Sequence, residues 1–408
     1  MTDTADRGPL AGVRVVDMTT SYAGPTASMY LADLGATVIK VERPGHGDDA
    51  RTWGPPFIAG ASAWFASANR NKKSVVLNLR ADSGREVLAR LLDSADVFLQ
   101  NMNPAKLVRM GIDGDTLRAR NPRLIYCAMS GFGLDGPDSD LPGYDLVAQA
   151  RSGIMSVTGE RGGTPQRVST ALSDIVTGMA AAIAINAALV RQARSDQGEV
   201  IDVSLLDTDL ALMAPRISAF IAGEPEPEPS GGTDSVLSVY QPFEAADRTI
   251  VIAIGNDPMW IRFCRAVGLD DLAEDPSLAD NAGRRAQRPR ITQRVAAVLA
   301  ARSAAEWLRL LGQVDVPAAL VQSLSEVVKD PQVVARGSLL PVPGFQEDLV
   351  SVRSPFRLHS QTVARNERFP DLGADTAAVL AELGYDANAV AALLSAGAVA
   401  APPAGVAS

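Results

Sequence analysis

The chain has 408 residues, of which 47% are apolar and 21% are charged, and it contains 34 glycines and 26 prolines. This length and composition are typical of a globular protein with two domains. The net charge of −9 excludes a general nucleic-acid binder, which needs a basic surface, so any anionic ligand requires local clusters of Arg and Lys.

The few cysteines and histidines argue against several kinds of metal site and catalytic site. Cys127 and Cys264 lie far apart and lack metal-ligand spacing, and the only histidines are His46 and His359, which argues against His-based metal sites and a Ser-His-Asp triad. The N-terminus has no signal-peptide pattern, and the longest apolar stretch, 175–190, is short and rich in Ala for a membrane span. We therefore expect a cytoplasmic protein with no membrane segment and no metal.

The first third of the chain alternates strand and helix patterns. Strands are predicted at 13–17, 38–42, 75–79, 97–100 and 124–129, and helices at 25–34, 82–93 and 115–120. The alternation predicts an α/β fold with a parallel sheet covered by helices. The loop after the first strand has one glycine where a dinucleotide fingerprint needs three, so we reject a nicotinamide or flavin site.

The rest of the chain predicts a second, smaller region. The small and apolar residues of 175–190 predict a helix buried on every side. A strand near 199–204 and a helix from Leu205 follow, and the segment GEPEPEPSGGT at 223–233 indicates a domain connection or mobile loop. Beyond it we predict a strand at 250–254, helices at 258–267 and 290–313, a return strand at 316–321 and a frayed tail from Ala396.

One carboxylate, Asp174, stands directly before the apolar run and follows the polar residues Ser169, Thr170 and Ser173. The N-terminal field of a helix favours a charged carboxylate, and a buried helix sets that carboxylate against an apolar wall. Asp174 is therefore a candidate nucleophile or proton acceptor. The simpler interpretation is that it only starts the helix.

Basic side chains follow the carboxyl ends of predicted parallel strands. Arg43 follows the second strand, Arg80 the third and Arg109 the fourth, and a further basic group occupies 70–73. Ligands of open α/β sheets bind at this edge, and Arg suits phosphate through charge-assisted hydrogen bonds. Each residue taken alone is compatible with ordinary surface charge. As a set they predict a polyphosphate ligand.

Seven segments resemble, in order and spacing, the class III CoA-transferases of the CaiB/BaiF type, a group that includes formyl-CoA transferase, carnitine CoA-transferase and α-methylacyl-CoA racemases. These segments are LAGVRVVDMT, YAGPTASMYLADLGATVIKVERPGHGD, NRNKKSVVLNL, QNMNPAKLVRMGI, NPRLIYCAMSGFGLDGP, PGYDLVAQARSGIMSVTGE and ALSDIVTGMAAAIAINAAL. The resemblance runs from about Leu10 to Tyr385 and thins through 223–240 and after 340. It implies an acyl-CoA and a small carboxylic acid as substrates, with no cofactor beyond coenzyme A.

The resemblance places the catalytic aspartate at Asp174. It implies a CoA-binding set in the first loop and at the strand ends, which consists of Tyr22, Ala23, Arg43, Leu77, Asn78, Leu79, Arg80, Asn101, Met102, Asn103 and Arg109. We add Tyr144 to this set. Tyr22 stands where the family often has Gln, and Arg80 where formyl-CoA transferase has Lys. The plausible counterpart of the glycine loop that covers the aspartyl intermediate is Gly231-Gly232.

The segment Gly143-Tyr144-Asp145 separates two chemistries, because racemases of the family carry a GHD segment at this place. Racemisation needs an acid/base group on each face of the α-carbon, and a tyrosine with a pKa near 10 is a poor base at neutral pH. Tyr144 then packs and Asp145 caps the next helix. We favour CoA transfer, with a racemase as one alternative and a non-catalytic acyl-CoA-binding protein as another.

The implied transfer proceeds through an aspartyl anhydride and an aspartyl-CoA thioester. The resemblance also implies an interlocked homodimer, each subunit having a Rossmann-like large domain with a parallel sheet and a smaller α+β domain. We expect 1–200 and 330–408 to form the large domain, 225–325 the small domain, and 201–224 and 326–329 the connections.

Overall fold

A computed structural model describes residues 8–345, 349–358 and 366–402. Its strands are β1 Arg14–Asp17, β2 Thr37–Glu42, β3 Phe57–Ile58, β4 Ala61–Ser62, β5 Lys72–Leu77, β6 Val97–Gln100, β7 Ile125–Ser130, β8 Val200–Ser204, β9 Tyr240–Glu244, β10 Thr249–Ala253, β11 Ala318–Leu320, β12 Leu339–Pro341, β13 Val350–Val352 and β14 Val399–Ala400. Its helices are α1 Ala23–Asp33, α2 Ala63–Ala68, α3 Asp82–Asp93, α4 Pro104–Met110, α5 Gly114–Arg120, α6 Asp145–Arg151, α7 Ile154–Val157, α8 Leu172–Ser195, α9 Leu205–Ile221, α10 Asp257–Val267, α11 Asp270–Glu274, α12 Asn281–Ala286, α13 Arg288–Leu299, α14 Ala304–Gln313, α15 Leu324–Val327, α16 Pro331–Ala335, α17 Thr376–Glu382 and α18 Ala387–Ser395. Short 3-10 helices cover Asp49–Thr52 and Pro276–Leu278.

The chain forms two compact units. The first comprises the described residues of Met1–Ile154, Val168–Ala219 and Gln332–Ser408, and the second comprises Met155–Arg167 and Phe220–Pro331. The segment 155–167 therefore differs from the predicted division, which assigns it to the large domain. One of its ties to the second unit is the hydrogen bond that the Gly231 backbone N–H donates to the Gly159 carbonyl at 2.9 Å.

The first unit contains a large sheet with the strand order β14-β5-β2-β1-β6-β7-β8. All neighbouring strands are parallel except β14, which is antiparallel to β5. This confirms the predicted α/β fold with a parallel-dominated sheet. Strand β5 ends at Leu77, so Leu79, the predicted end of that strand, lies in the loop that follows.

Alternating residues of the strands feed two cores, one on each face of the sheet. Val15 of β1 packs with α1 and α8, whereas the adjacent Val16 packs with α3 and α17. Helix α3 buries Val87, Leu88, Leu91 and Leu92, whose spacing of three and four residues forms one apolar face. Helices on both faces of a parallel sheet leave its carboxyl edge open to ligands.

The second unit has an antiparallel sheet with the order β11-β10-β9, covered by helices around a core that includes Trp260, Phe263 and Trp307. The single helix predicted at 290–313 is wrong, because the chain forms α13 and α14 with a break between them. A capping box starts α14 at this break. The Ser303 side chain accepts a hydrogen bond from the Glu306 backbone N–H, and the Glu306 side chain accepts one from the Ser303 backbone N–H.

Helix α8 is not buried on every side. Ile183 is 72% exposed and Val190 is 52% exposed, so the prediction of an all-round buried helix is wrong for this single chain. By length and composition, α8 is the one helix in the described residues that is apolar enough to cross a membrane, and 39% of its most apolar window is buried. Apolar composition alone does not distinguish a helix covered by its own chain from one covered by another.

The predicted frayed tail is also wrong for the part that the structure describes. Ala398 and Val399 are buried, and β14 pairs with Leu77 and Val76 at the edge of the large sheet. The pairing occurs because a strand at a sheet edge offers unpaired backbone groups. Residues 403–408 lie outside the described residues.

Candidate active site

A cavity of about 960 Å³ opens at the carboxyl edge of the parallel sheet in the first unit. Its walls are the loops that follow β1, β2, β5 and β6, which are neighbours in the sheet. Parallel neighbours end at the same edge, so the loops after them meet there. The volume lies within the range of cavities that bind small-molecule ligands.

Most of the predicted CoA-binding set lines this cavity. The residues in question are Arg43, Leu77, Asn78, Leu79, Arg80, Asn101, Met102 and Asn103. The remaining predicted site residues lie outside its walls: Tyr22, Ala23, Arg109, Tyr144 and Asp174. The strand-end argument selects Arg43 and Arg80 of this group and the resemblance implies the others, and the role of the group in CoA binding stays a prediction.

Helix α4 presents Lys106 to the cavity, and not the predicted Arg109. Lys106 and Met110 line it, whereas Arg109 is exposed and does not. Lys106 and Met110 are four residues apart and share one helix face. Asn103 fixes the start of the helix, since its side chain accepts a hydrogen bond from the Lys106 backbone N–H at 3.4 Å. The sequence analysis did not select Lys106, because the start of α4 decides which of its residues face the cavity.

Acidic side chains also line the cavity, and the sequence analysis did not select them. They are Glu42, Asp48 and Asp49. Arg43, whose side chain is 55% exposed, forms an ion pair with Asp49. An anionic ligand at Arg43 would therefore have to replace or share the Asp49 carboxylate.

A buried network of charges holds the loop after β1. The Lys40 ammonium lies 2.8 Å from the Asp48 carboxylate and donates to the Thr19 carbonyl at 2.9 Å. The other carboxylate oxygen of Asp48 accepts from the Ser21 backbone N–H at 3.0 Å. Ser21 has a φ of 73°, a conformation that costs energy in a non-glycine residue, and the network stabilises it.

A second lysine of the network, Lys72, has a pKa far below its ordinary value. Burial lowers the pKa of Lys72 to about 7, although Asp17 opposes the shift. Burial would raise the pKa of Asp17, but the charges of Lys72 and Lys40 together with hydrogen bonds from Ser28 and Thr19 lower that pKa to about 2. The Lys72 ammonium also donates to the Pro25 carbonyl at 2.9 Å, so the same network fixes the first turn of α1.

Tyr22 and Ala23 form the start of α1. The Tyr22 hydroxyl lies 2.9 Å from the Ser67 hydroxyl, and its ring contacts Trp64 edge-on with 5.2 Å between centroids. Burial raises the pKa of Tyr22, the Ser67 hydrogen bond opposes this, and the Asp174 charge raises it further. Tyr22 is thus within electrostatic range of Asp174, while Thr19 and Thr20 of the same loop line the cavity.

Asp174 is the third residue of α8 and is half-buried. Ala171 precedes the helix and provides no side-chain cap, so the interpretation of Asp174 as a simple helix cap is wrong. The cap comes from another helix instead. The Asp145 carboxylate at the start of α6 accepts the backbone N–H groups of Ser173 and Asp174 at 2.8 and 3.4 Å, and Asp145 does not cap the helix that it begins.

Two neighbouring carboxylates act on Asp174 at this helix end. Burial raises the pKa of Asp174 to about 7, and the charges of Asp145 and Asp209 raise it in the same direction. A carboxylate with a pKa near neutrality is more basic than an ordinary one and still ionised at mildly alkaline pH. Perturbed pKa values of this kind are typical of functional groups.

Tyr144 directly precedes α6 and is 60% exposed. The prediction that its side chain packs is therefore wrong for this chain taken alone. The loop before it folds back tightly, because Gly131 and Gly143 approach so closely that a side chain on either would collide with the backbone of the other. This contact fixes the start of α6 and hence the position of Asp145.

The remaining candidates are Gly231-Gly232 and the histidines. Both glycines have positive φ angles, of 64° and 82°, and lie in the second unit. His46 is exposed in the loop after β2, and His359 lies outside the described residues. Within the described ranges, no group of three or more His, Cys, Asp or Glu residues could hold a metal ion.

Comparisons with known proteins assign the chain to a family. The model of CoA-transferase family III matches residues 10–376. The succinate–glutarate CoA-transferase of Agrobacterium fabrum is 39% identical over 94% of this chain and 98% of its own length. The human succinyl-CoA:glutarate CoA-transferase is 36% identical over 96% of this chain and 90% of its own length.

A solved structure agrees with both relatives. The crystal structure of a CaiB/BaiF family protein from Brucella suis superposes with a TM-score of 0.81 at 36% identity, covering 92% of this chain and all of that one. The match of the family model extends over nearly the whole chain and includes the strand-end loops, the start of α1 and Asp174. The protein therefore belongs to CoA-transferase family III and is a CoA-transferase of the CaiB/BaiF type.

Proposed function

We propose that this protein transfers CoA from a short acyl-CoA, with succinyl-CoA as the first candidate, to a dicarboxylic acid such as glutarate. The substrate class comes from the two relatives above, which are named for succinate and glutarate. The observation that carries the chemistry is Asp174, a half-buried carboxylate with a pKa of about 7 that is coupled to the loop lining the cavity.

In the proposed mechanism Asp174 is the nucleophile. Its carboxylate oxygen bonds to the thioester carbonyl carbon of the donor, the carbon–sulfur bond breaks, and a mixed anhydride and CoA thiolate form. The thiolate then attacks the aspartyl carbonyl, which gives an aspartyl-CoA thioester and releases the donor acid. The acceptor acid reverses these two steps. Water must stay out, because it would hydrolyse either intermediate.

The proposed position of CoA follows from the cavity. Arg43, Arg80 and Lys106 lie on its walls, where charge-assisted hydrogen bonds to phosphate would form. The loop Thr19–Ala23 leads from this cavity to the start of α1, beside Asp174. We infer that the nucleotide occupies the cavity and that the pantetheine arm follows this loop, so that the thioester reaches Asp174.

A homodimer is part of the proposal. Ile183 and Val190 of helix α8 are exposed, and Met179, one turn before Ile183, is half-buried. These three residues form an apolar stripe along the helix. An exposed apolar stripe on a long helix calls for a cover. We propose a second copy of the chain as that cover, in line with the interlocked arrangement implied by the family, and not lipid. A reducing cytoplasm is consistent with Cys127 and Cys264, which are both unpaired.

The identity of residue 144 favours transfer over racemisation. The residue is an exposed tyrosine, and racemisation requires a second proton acceptor opposite Asp174. The test is incubation with succinyl-CoA and glutarate, followed by mass spectrometry of the CoA esters. Formation of glutaryl-CoA by the parent protein and its loss in Asp174→Asn is the expected result. Exchange of the α-proton of a 2-methylacyl-CoA with heavy water, without transfer, would contradict it.

A further inference from the structure

Asp209 of α9 is a fully buried carboxylate next to the proposed nucleophile, and the transfer mechanism does not use it. One of its oxygens accepts a hydrogen bond from the Ser173 hydroxyl at 2.7 Å and lies 3.4 Å from the Ser152 hydroxyl. The other oxygen has no hydrogen-bond partner in the part of the chain that the structure describes. A buried carboxylate oxygen without a hydrogen-bond partner is costly, so its presence calls for an explanation.

Ser173 links Asp209 to Asp174. It immediately precedes Asp174 in α8, its hydroxyl donates to Asp209, and its backbone N–H donates to Asp145 at 2.8 Å. The first turn of α8 is therefore held between two aspartates, one from α6 and one from α9. The charges of both aspartates raise the pKa of Asp174.

Acidic side chains act on both Asp174 and Asp209. The groups that act on Asp174 are Asp145 and Asp209, and Tyr22 at the start of α1 responds to Asp174 in turn. Burial raises the pKa of Asp209, and Asp145 raises it further, whereas the hydrogen bonds from Ser173 and Ser152 lower it.

We propose that Asp209 is ionised in the folded protein and is a positioning residue for the transfer reaction: its negative charge, held beside the nucleophile through Ser173, favours conversion of the Asp174 carboxylate into a neutral acyl group. This inference rests on the proposed role of Asp174. When the Asp174 oxygen bonds to the thioester carbonyl carbon and the carbon–sulfur bond breaks, the negative charge leaves on the CoA thiolate. Repulsion between Asp174 and the two neighbouring aspartates then ends, which stabilises the covalent intermediate relative to the free carboxylate.

The first test reads the ionisation of Asp174 without any substrate. Protein labelled with [4-13C]aspartate is titrated by NMR, and the Asp174 signal is assigned by its loss in Asp174→Asn. We expect Asp209→Asn, which is isosteric and neutral, to move the Asp174 midpoint to lower pH by about 1 unit. Asp207→Asn removes a charge from the exposed side of the same helix and should leave the midpoint in place.

The second test reads the reaction. With succinyl-CoA, we expect the fraction of enzyme trapped as a covalent intermediate at pH 8 to fall about 3- to 10-fold in Asp209→Asn, and the acid limb of kcat/KM to move with the NMR midpoint. Asp209→Ala should show the same changes with lower stability, so a folding defect in one variant does not decide the result. An unchanged NMR midpoint in both variants would overturn the proposal.

The outcomes separate this inference from the proposed function. A moved midpoint with an unmoved acid limb would show that Asp209 acts on Asp174 without contributing to the reaction, and would refute the positioning role. Failure of the proposed function looks different, because the parent protein then forms no covalent intermediate and Asp174→Asn turns over as fast as the parent. Lower trapping in Asp209→Asn alone, beside full trapping in Asp207→Asn, supports the proposal.

Discussion

Gly178 of α8 lies directly against the carbonyl oxygen of Ala23 in α1. A methyl group added at Gly178 would sit 2.8 Å from that oxygen and 2.8 Å from Cβ of Thr26. Because no side chain separates the two backbones here, the first turns of both helices come together, and Tyr22 reaches electrostatic range of Asp174. The small residue thus sets the distance between the loop that lines the cavity and the proposed nucleophile.

Gly178→Ala should force α1 and α8 apart and destabilise the fold by about 1–3 kcal/mol. We expect transfer activity to fall further than stability explains, because Asp174 moves relative to Tyr22. Denaturant titration and steady-state kinetics measure the two effects. Gly312→Ala is the matched control, since that helical glycine has open space around it, and the change should stabilise the protein slightly. Equal stability of the two variants would contradict the packing argument.

CoA affinity should depend on Lys106 and Arg43 more than on Arg109. Lys106 and Arg43 line the cavity and Arg109 does not, so we expect Lys106→Ala and Arg43→Ala each to weaken CoA binding about tenfold. Arg109→Ala should leave the affinity within about twofold, because its effect is limited to screened surface charge. Calorimetry with free CoA measures all three. A larger loss in Arg109→Ala than in Lys106→Ala would place the nucleotide elsewhere.

Asp49 supplies a complementary test of the same wall. Its carboxylate pairs with Arg43, so an incoming phosphate competes with it. Asp49→Asn removes this competitor and a like charge, and CoA should bind about 2- to 5-fold more tightly at low salt. The gain should fade as salt is added. Tighter binding that persists at high ionic strength would indicate a different cause.

The pKa of Asp174 predicts how activity and stability depend on pH. Its pKa in the folded protein is about 7, above its ordinary value of 3.8, so between these pH values the folded state binds more protons than the unfolded state. Stability therefore falls as pH rises through this window, while the nucleophilic form, and with it activity, rises through pH 7. Asp174→Asn removes the cost of the charge and should stabilise the protein at pH 8 by about 1–2 kcal/mol, with little gain at pH 4.

Denaturant titrations of the parent and of Asp174→Asn at both pH values check this directly. Asp113 provides the opposite case, because hydrogen bonds from Thr116 lower its pKa and its charge stabilises the start of α5. Asp113→Ala should therefore destabilise the protein at pH 8. A loss of stability in Asp174→Asn at pH 8 would contradict a strained, raised-pKa nucleophile.

The exposed stripe of α8 predicts the oligomeric state. Ile183→Asp places a charge on the face that we expect a second chain to cover, and light scattering should show a shift from dimer to monomer at micromolar concentration. Leu324→Asp introduces the same charge at a residue that is 84% exposed in the second unit, and should leave the dimer intact. A parent protein that is already monomeric would refute the interlocked arrangement.

The local pattern of the sequence was sufficient for most of the first unit. Strand β6 and helix α3 were predicted to the residue, because short apolar runs and one amphipathic face are local features. The resemblance supplied most of the predicted residues that line the cavity, and the strand-end argument selected two of them, Arg43 and Arg80. It failed at α4, where the choice between Lys106 and Arg109 depends on the rotation of the helix about its own axis.

Other features depend on contacts that a single sequence does not display. The cap of α8 comes from Asp145, which lies in a different helix. Asp209, whose charge raises the pKa of Asp174, follows Asp174 by 35 positions along the chain. The uniform apolar run of α8 predicted burial on all sides but not that Ile183 remains exposed in one chain. The composition of the tail from Ala396 predicts fraying, and the free edge of β5 explains why Val399 pairs there instead.

The central claim is that Asp174 carries the CoA as a covalent thioester, and trapping the intermediate tests it most directly. The protein is mixed with succinyl-CoA in the absence of an acceptor, quenched with hydroxylamine or borohydride, digested and analysed by mass spectrometry. We predict modification on the peptide that contains Asp174 and on no peptide of Asp174→Asn, with transfer in that variant reduced at least about 10³-fold. Full turnover by the parent protein with an unmodified Asp174, or near-normal transfer by Asp174→Asn, would contradict the account.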